Sequence, residues 1–191
     1  MTTKKTGSDL FIVDNSDEDW KVVNYLREWC SISSRFDIAT GYFEIGSLLA
    51  LDGQWQALEE IRILMGDEVT KRTHKALIEG STRVQRLLDG SLEQEKLKND
   101  FLTGVPGIVE AIKSGKIKCR VYAKKKFHAK AYITHSKLAV VGSSALVGSS
   151  NFTAQGLSAN IELNVQLRRE VELLQEWFET HWEDAVDISD E

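Results

Sequence analysis

The sequence contains little cysteine and no long apolar run. Its two cysteines, Cys30 and Cys119, form no Cys-x-x-Cys pair, so the sequence predicts neither a disulfide framework nor a zinc site. No apolar stretch approaches the roughly 20 residues that a membrane-spanning helix requires. The first residues, MTTKKTGSDLF, lack the apolar core of a signal peptide. These absences predict a cytoplasmic protein with free thiols and without a membrane partner.

Acidic residues are missing from one long internal segment. Residues 111–161, called the acid-free segment below, contain no Asp or Glu, although the whole chain has a net charge of -5. The segment holds nine basic residues: Lys113, Lys116, Lys118, Arg120, Lys124, Lys125, Lys126, Lys130 and Lys137. The remaining 15 Lys and Arg residues stand against all 29 acids. A solvated charged edge would explain this segment, but a local positive field is also what a polyanion site requires.

The length of the chain predicts a single domain. A chain of 191 residues suffices for one well-packed domain and is short for two. We expect a flexible arm at residues 1–9 and a folded domain at residues 10–191. The acidic end, DAVDISDE, follows closely on a helical pattern, so the domain is expected to continue into a longer protein.

The first two thirds of the chain alternate between helical and strand patterns. Ser16 is followed by three acids and then by apolar residues at helical spacing, which predicts the start of a helix. β-Branched and aromatic residues at Arg35–Phe43 and a short apolar run at Ile61–Met65 are typical of buried strands. Residues 67–100 are rich in Lys, Glu, Leu and Arg and predict helix, and Pro106 marks the start of another short helix.

After Gly115 the patterns become strand-like. Four segments with short breaks predict closely paired strands: residues 117–123, 127–133, 137–147 and 160–167. In the last segment apolar and polar residues alternate, which gives the strand two different faces. The chain closes with a helical pattern whose apolar stripe indicates core packing: Val171, Leu174, Trp177, Phe178 and Trp182. Interleaved helices and strands followed by clustered strands predict an α/β fold with a mixed central β-sheet flanked by helices.

His128 and Lys130 carry the strongest chemical signal. They stand two residues apart in a predicted strand, so their side chains are expected to project from the same face. Either residue alone would more often be structural or solvated. The pair is followed by the turn Gly148-Ser149-Ser150-Asn151 and then by Glu162, the first acid after the acid-free segment. This combination indicates a catalytic site.

The combination resembles the motif of the phospholipase D superfamily. The shared features are His-x-Lys at 128–130, Gly-Ser-x-Asn at 148–151, and an acid eleven residues after the Asn. The phrases ATGYF and GSSNFTAQGL make the resemblance closest to the nuclease branch. It is similar, more narrowly, to the phospholipase-D-like domain at the N-terminus of bacterial helicase-like proteins and in some restriction enzymes. The resemblance implies a phospholipase-D-like mixed sheet, with a helicase domain following in the same polypeptide.

The resemblance also implies a role for each residue of the motif. His128 is the nucleophile that attacks phosphorus and forms a phosphohistidine intermediate. Lys130 and Asn151 would bind the non-bridging phosphate oxygens, and Ser149 would support the turn or bind phosphate. Glu162 would accept a hydrogen bond from the imidazole and fix its tautomer. These residue types suit phosphodiester cleavage without a metal ion or other cofactor, because histidine can act as both nucleophile and acid near neutral pH.

The sequence departs from the family motif in two ways. The motif usually has Asp five residues after the Lys, where this chain has His135. That position projects to the opposite face of the strand, so we expect the change to affect structural support more than chemistry. The mechanism needs two histidines, yet neither His74 nor His181 has a Lys two residues later. The simplest solution is a homodimer that brings two copies of His128 together across a two-fold axis.

The leading interpretation is a metal-independent nuclease that acts on DNA. Lys124, Lys125 and Lys126 would line a basic groove beside its site, and the acid-free segment offers no carboxylates for the Mg²⁺ ions of a two-metal nuclease. A phospholipase uses the same chemistry, but no amphipathic or exposed aromatic stretch marks a membrane surface. A non-catalytic module that grips a phosphate backbone inside a helicase or restriction system would use the same residues, and this alternative stays open.

The sequence Val-Gly-Ser-Ser occurs twice, at Val141–Ser144 and at Val147–Ser150. The first copy has the family's usual distance from Lys130, with twelve residues to its glycine instead of eighteen. The second copy is followed by Asn151 and stands at the usual distance from Glu162. We therefore predict that the second copy forms the catalytic turn. The first copy would be a strand extension whose even length keeps the faces of the strand in register.

Overall fold

The computed structural model of the protein describes residues 11–16, 18–66 and 104–188. The arm predicted at residues 1–9, the helical stretch predicted at 67–100 and His74 lie outside the described residues. Within the described part of the chain, the α/β fold predicted from the sequence is confirmed. A mixed sheet of eight strands is flanked by helices.

The described residues form eight β-strands and five α-helices. The strands are β1 (Ile12–Val13), β2 (Ser33–Thr40), β3 (Glu60–Gly66), β4 (Ile117–Tyr122), β5 (Lys130–Ser136), β6 (Ser143–Gly148), β7 (Asn164–Leu167) and β8 (Val186–Asp187). The α-helices are α1 (Val22–Ile32), α2 (Ile45–Ala50), α3 (Gly104–Lys113), α4 (Ala154–Ser158) and α5 (Val171–Glu183). None of these described helices has the length and apolar character needed to span a membrane.

The sheet has the strand order β1-β7-β6-β5-β2-β3-β4-β8. β2, β3 and β4 run parallel, and the other neighbouring pairs are antiparallel. β5, which carries Lys130, lies in the middle of the sheet between β2 and β6. The first residue of β5 therefore lies next to the last residues of β2 and β6.

Apolar side chains fill both faces of the sheet. On one face, α1, α2, α3 and α4 pack on the larger core, to which the strands contribute Phe36, Ile63 and Tyr132. On the other face, α5 packs on a smaller core around Ile133 and Phe178. Each fully buried side chain of this size contributes roughly 1.5–3 kcal/mol, so the two cores hold the sheet in one register.

The closing helix, α5, buries the apolar stripe expected from the sequence. Val171, Phe178 and Trp182 are buried in the smaller core, while Leu174 and Trp177 pack against it and stay partly exposed. The interpretation of this stripe as core packing is confirmed.

Helix α1 begins later than the sequence predicted. The predicted start at Ser16 is wrong, because a 3-10 turn and the extended Lys21 (φ -75°, ψ 132°) come before α1. Asn15 supplies the bond expected of a capping residue: its Oδ1 accepts a hydrogen bond of 2.9 Å from the main-chain N–H of Val22. Asn15 has a φ of 64°, a conformation that asparagine tolerates better than most residues.

Strand β5 is shifted by three residues from the predicted segment, and β6 is shorter than predicted. β5 begins at Lys130, so His128 lies in the segment before the strand and not within it. Residues 137–142 form a turn that ends at Gly142 with a φ of 70°. β6 therefore starts only at Ser143. A strand through this turn is excluded because the chain reverses there to pair β6 with β5.

Strand β7 comprises only the second half of the predicted strand. Ile161 and Leu163, which precede it, are 74% and 61% exposed. The polar residues of the alternating pattern, Asn164 and Gln166, are the buried ones. Hydrogen bonds from their side chains make this burial possible, since a buried amide without partners would cost free energy.

Candidate active site

The register of the sheet brings the end of β6 next to the start of β5. Val147 of β6 pairs with Ala131 of β5, which places Gly148 beside Lys130. β2 ends at the same point, because Thr40 pairs with Lys130. Gly148, the first residue of the second Gly-Ser-Ser turn, therefore lies next to Lys130, the first residue of β5.

His128 and Lys130 are in direct contact, although His128 precedes the strand. Lys130 Nζ lies 3.0 Å from Nδ1 and 3.3 Å from Nε2 of His128. Lys130 is 8% exposed, whereas His128 is exposed to solvent. Because an ammonium group only donates hydrogen bonds, the ring nitrogen that receives this bond carries a lone pair, as a nucleophile must.

The pKa of Lys130 depends on its burial and on the charge of Glu162. Burial lowers the pKa of Lys130 from its ordinary value of 10.5, and the charge of Glu162 partly opposes this effect. A partly buried cation interacts more strongly with a bound phosphate than one surrounded by water.

Two glycines let the chain that carries His128 pass across the ends of β2 and β3. A Cβ atom on Gly41 would lie 3.1 Å from Cδ2 of His128. A Cβ atom on Gly66 would lie 2.5 Å from the main-chain oxygen of Phe127, closer than real Cβ contacts. A side chain at Gly66 would therefore displace the segment that positions the candidate nucleophile.

The turn after β6 is fixed by hydrogen bonds from three other strands. The hydroxyl of Tyr132, on β5, donates to the carbonyl of Ser150 at 2.6 Å. Nδ2 of Asn164, on β7, donates to Oγ of Ser150 at 2.9 Å. The main-chain N–H of Phe152 donates to Oγ1 of Thr40, at the end of β2, at 3.0 Å. The second copy is thus held rigidly beside the start of β5.

Ser149 and Glu162 form a hydrogen-bonded pair near the surface of this turn. The Ser149 hydroxyl donates to Oε2 of Glu162 and accepts a bond of 3.0 Å from the main-chain N–H of Leu163. Nδ2 of Asn160 lies 3.5 Å from Oε1 of Glu162. Among the described residues, Glu162 makes no hydrogen bond to His128, and its role toward the imidazole stays a prediction.

The side chain of Asn151 is not used by the fold. Its Oδ1 is buried and has no hydrogen-bond partner in the described part of the chain. Leaving such a group unpaired costs about 1–3 kcal/mol and is uncommon away from functional sites. The main chain of Asn151 is confined by Gly156, where a Cβ atom would lie 2.5 Å from the Asn151 oxygen. The fold therefore holds the main chain of Asn151 in place and leaves its side-chain oxygen, which can only accept a hydrogen bond, unpaired.

The first Gly-Ser-Ser copy lies at the opposite end of β6. Ser143 pairs with His135, and its hydroxyl lies 3.2 Å from Nδ1 of that residue. The hydroxyl of Ser144 lies 3.0 Å from that of Tyr25 in the larger core. At ~3.4 Å per residue, Ser143 stands about 17 Å from Gly148. The hydroxyl groups of the first copy thus make structural contacts far from His128 and Lys130.

The three lysines predicted to line a groove lie on the exposed segment between β4 and β5. Lys124 Nζ forms a salt bridge of 2.7 Å with Asp184, which follows α5. The hydrogen bond to Asp184 raises the pKa of Lys124. Lys125 and Lys126 are exposed and stand three and two residues before His128. The segment places positive charge beside the site, but the charge of Lys124 is partly compensated within the protein.

His135, where the family motif has Asp, contacts a buried acid from the neighbouring strand. Its Nε2 lies 3.2 Å from Oδ2 of Asp37, which is fully buried. Arg62 donates two hydrogen bonds to the same carboxylate, at 2.7 and 2.8 Å. Burial raises the pKa of Asp37. The hydrogen bonds from Arg62 and His135 and the charge of Arg35 outweigh this and lower the pKa to about 2.

The other reactive side chains of the described residues, His181 and the two cysteines, take part in packing. In the described ranges, no cluster of His, Cys, Asp and Glu side chains could hold a metal ion. The ring of His181 packs on Trp177 at 4.4 Å, and its Nδ1 lies 2.8 Å from the Trp177 carbonyl. Cys30 and Cys119 are buried, which raises the pKa of both thiols. These groups belong to the cores and not to the candidate site.

Sequence reasoning missed four residues that hold the site together: Thr40, Gly41, Tyr132 and Asn164. Thr40 and Gly41 belong to the phrase ATGYF, which served only as a mark of resemblance. Tyr132 and Asn164 were interpreted as ordinary strand residues. One available signal was Tyr132 itself, because it stands two residues after Lys130 and so shares its face of β5.

A family model described as cardiolipin synthase, PLD-like domain, matches residues 31–182 of the chain. No curated protein matches its sequence.

Solved structures share the fold at low sequence identity. Nuc from Salmonella typhimurium, a phospholipase D family member, has a TM-score of 0.50 at 13% identity, over 85% of this chain and 87% of that protein. Phosphatidylserine synthase of Haemophilus influenzae Rd KW20 has a TM-score of 0.56 at 12% identity, over 94% of this chain and 39% of that protein. TrmBL2, an archaeal chromatin protein with a novel mode of DNA binding, has a TM-score of 0.50 at 16% identity, over 93% of this chain and 53% of that protein. At these identities the likeness concerns the fold.

Proposed function

The chain belongs to the phospholipase D superfamily, and we propose that it is a metal-independent nuclease that cleaves DNA through a phosphohistidine intermediate. The observation that carries the proposal is the meeting of His128 and Lys130 with the Ser149–Asn151 turn at one end of the sheet. These groups supply a nucleophile, a partly buried cation and an available amide around the space that one phosphate would occupy.

In the proposed reaction, a ring nitrogen of His128 attacks phosphorus, a P–N bond forms, and the P–O bond to one nucleoside breaks. The leaving oxygen takes a proton from the imidazolium of a second copy of His128. Water then attacks phosphorus, passes a proton back to that second imidazole, and breaks the P–N bond. Lys130 and the Asn151 amide hold the non-bridging oxygens and stabilise the charge that develops on them.

We assign supporting roles to Ser149 and Glu162. Ser149 fixes the turn through its bonds to Glu162 and to the main chain of Leu163. For Glu162 we keep the role of orienting a histidine ring, since its Oε1 has only the long contact from Asn160 at 3.5 Å. A carboxylate beside an imidazole selects the tautomer that can attack.

Two copies of the chain are proposed because two histidines are needed. Of the described histidines, His135 is bound to Asp37 and Ser143, and His181 packs on Trp177. His128, by contrast, is exposed at the end of the sheet, where a second copy can approach. A two-fold dimer would bring the two imidazoles to one phosphate without any further residue of the chain.

DNA is proposed as the substrate because of the charge around the site. The acid-free segment spans His128, Lys130 and the whole turn, and it carries nine basic residues. Neutralising phosphates with such residues releases counterions and favours binding to nucleic acid. The fold is also found in the DNA-binding protein TrmBL2, which is consistent with a nucleic-acid substrate.

The test is cleavage of supercoiled plasmid DNA in the presence of EDTA. The wild-type protein should nick the plasmid, the His128→Ala variant should not, and His181→Gln should retain activity as a matched histidine control. Quenching under alkaline conditions should trap DNA covalently attached to the wild-type protein, because a phosphoramidate is stable to alkali and labile to acid. Activity that requires added metal, or that survives in His128→Ala, would contradict the mechanism.

A phospholipid is the second candidate substrate, and one observation favours it. Two exposed apolar residues flank Glu162 in the sequence: Ile161 (74%) and Leu163 (61%). The sequence predicted no such surface, and an exposed apolar patch can face a membrane or another copy of the chain. Hydrolysis of phosphatidylglycerol vesicles, measured beside DNA cleavage, separates the substrates: lipid turnover lost in His128→Ala, with DNA intact, would replace the nuclease proposal.

A non-catalytic role in DNA binding is the remaining alternative. In that case DNA would bind tightly and the affinity would fall steeply with salt, but neither cleavage nor a covalent adduct would be seen. Such a module would serve a larger protein, in line with the resemblance to helicase-like and restriction proteins.

A further inference from the structure

An exposed aromatic ring, that of Tyr42, stands at the rim of the candidate site. The preceding residue, Gly41, lies against the candidate nucleophile, because a Cβ atom at Gly41 would lie 3.1 Å from Cδ2 of His128. The following residue, Phe43, forms a bridge with Phe152, which comes directly after Asn151 in the catalytic turn. Tyr42 is therefore placed between the nucleophile and the phosphate-binding turn.

The main chain around Tyr42 is rigid. The Thr40 hydroxyl donates to the carbonyl of Tyr42 at 2.6 Å and accepts from the main-chain N–H of Phe152 at 3.0 Å. The rings of Phe43 and Phe152 stack at 5.9 Å with an angle of 11° between their planes. Glu44 N–H donates to the carbonyl of Phe152 at 3.1 Å, which extends the connection by one more residue.

The side chain of Tyr42, by contrast, has no structural use in the fold. It is 44% exposed, and its phenol makes no hydrogen bond to any residue that the structure describes. Phe43 beside it is 6% exposed and belongs to the larger core. The ring of Phe43 is therefore buried in the core, whereas the ring of Tyr42 is exposed to solvent at the edge of the site.

We propose that Tyr42 forms a nucleobase-binding position, in which its ring stacks on the base next to the phosphate that His128 attacks. The inference rests on the proposed nuclease function and adds to it a preference for DNA with unpaired bases. Lysines recognise the backbone, whereas an aromatic face recognises a base without regard to sequence. Bases inside a duplex are already stacked on both faces, so the position fits single-stranded or locally unpaired DNA.

The experiment compares two oligonucleotides of equal length, one normal and one with every base removed, in the Tyr42→Ala and Tyr42→Phe variants. On the normal single strand, Tyr42→Ala should raise KM by about tenfold with kcat almost unchanged, because stacking persists in the transition state. Tyr42→Phe keeps the ring and should resemble the wild type. On the abasic strand, Tyr42→Ala and wild type should have the same KM, equal to the raised value.

Three outcomes would overturn the inference. One is an unchanged KM in Tyr42→Ala, and another is an equal loss on the normal and abasic strands. The third is a change of sedimentation coefficient in Tyr42→Ala, which would assign the ring to contact with a second copy. None of these affects the nuclease proposal, whose own test is the loss of cleavage of both strands in His128→Ala.

Discussion

The buried hydroxyl of Tyr132 donates a hydrogen bond of 2.6 Å to the main-chain carbonyl of Ser150. Tyr132 stands two residues after Lys130 on β5, and Ser150 directly precedes Asn151 in the turn after β6. One bond therefore fixes the two halves of the candidate site relative to each other. It also distinguishes the second Gly-Ser-Ser copy from the first, which has no such connection to the start of β5.

Asn151→Ala and Ser143→Ala should differ strongly in their effect on cleavage. In the proposed site Nδ2 of Asn151 donates to a phosphate oxygen, and loss of a donor to a developing charge reduces kcat by about 10²–10³-fold. Ser143 contacts His135 at the far end of β6, so its loss should leave kcat nearly unchanged. The measurement is the initial rate on plasmid DNA in EDTA. Equal effects of the two substitutions would show that the turn after β6 is not the catalytic one.

Tyr132→Phe and Tyr25→Phe should both destabilise the protein but affect activity differently. Each removes a buried hydroxyl that is hydrogen-bonded to Ser150 or to Ser144 respectively, and the loss of one such bond costs about 0.5–1.5 kcal/mol. Urea unfolding should show this loss of unfolding free energy in both variants. Only Tyr132→Phe should also slow cleavage, because only its partner belongs to the candidate site. A normal rate in Tyr132→Phe would contradict the positioning role.

The salt dependence of DNA binding should report on the lysine segment. Lys125→Ala should weaken binding and reduce the slope of log Kd against log salt by about 1, as expected for the loss of one phosphate contact. Asp184→Asn should act in the opposite direction, because it releases Lys124 from its salt bridge of 2.7 Å. Fluorescence anisotropy with a labelled oligonucleotide measures both. Unchanged slopes would place the DNA elsewhere on the protein.

Acid should destabilise the protein through Asp37. The pKa of this carboxyl is lowered in the folded state from its ordinary value of 3.8 to about 2. Its stabilising contribution is therefore present above pH ~4 and is lost as the pH falls toward 2, an effect of about 2 kcal/mol. Urea unfolding at pH 6, 4 and 3 should show the decline in the wild type and a flatter profile in Asp37→Asn. An equally steep decline in that variant would assign the acid sensitivity to other carboxyls.

Mixing subunits should reveal a shared site. If each reaction needs His128 from two copies, wild-type activity per wild-type subunit should fall steeply when excess His128→Ala protein is coexpressed and co-purified with it. Sedimentation should give a dimer in every mixture. A monomer, or an activity per wild-type subunit that does not change with the share of variant, would remove the two-histidine arrangement.

Most of the fold class and the identity of the motif could be predicted from the sequence. Periodicity and composition are local properties, and they sufficed for the interleaved helices and strands and for the buried stripe of α5. Boundaries were less predictable. Residues 137–142 look like strand by composition, but the hairpin between β5 and β6 requires a turn there. Asn164 looks like a surface residue, but its bonds to Val13 and Ser150 allow its burial.

The sequence by itself determined which chemical groups are present and how they are spaced: His128 and Lys130, then Asn151 and Glu162. Asn151 and the distance to Glu162 predicted the second Gly-Ser-Ser copy as the catalytic turn, but the spacing from Lys130 favoured the first, so the sequence alone did not fix which copy lies beside Lys130. The tertiary structure decided this through pairing across the sheet, where Val147 faces Ala131. Such contacts join residues distant in the chain, and their free energy depends on the packing of the whole sheet rather than on any local pattern.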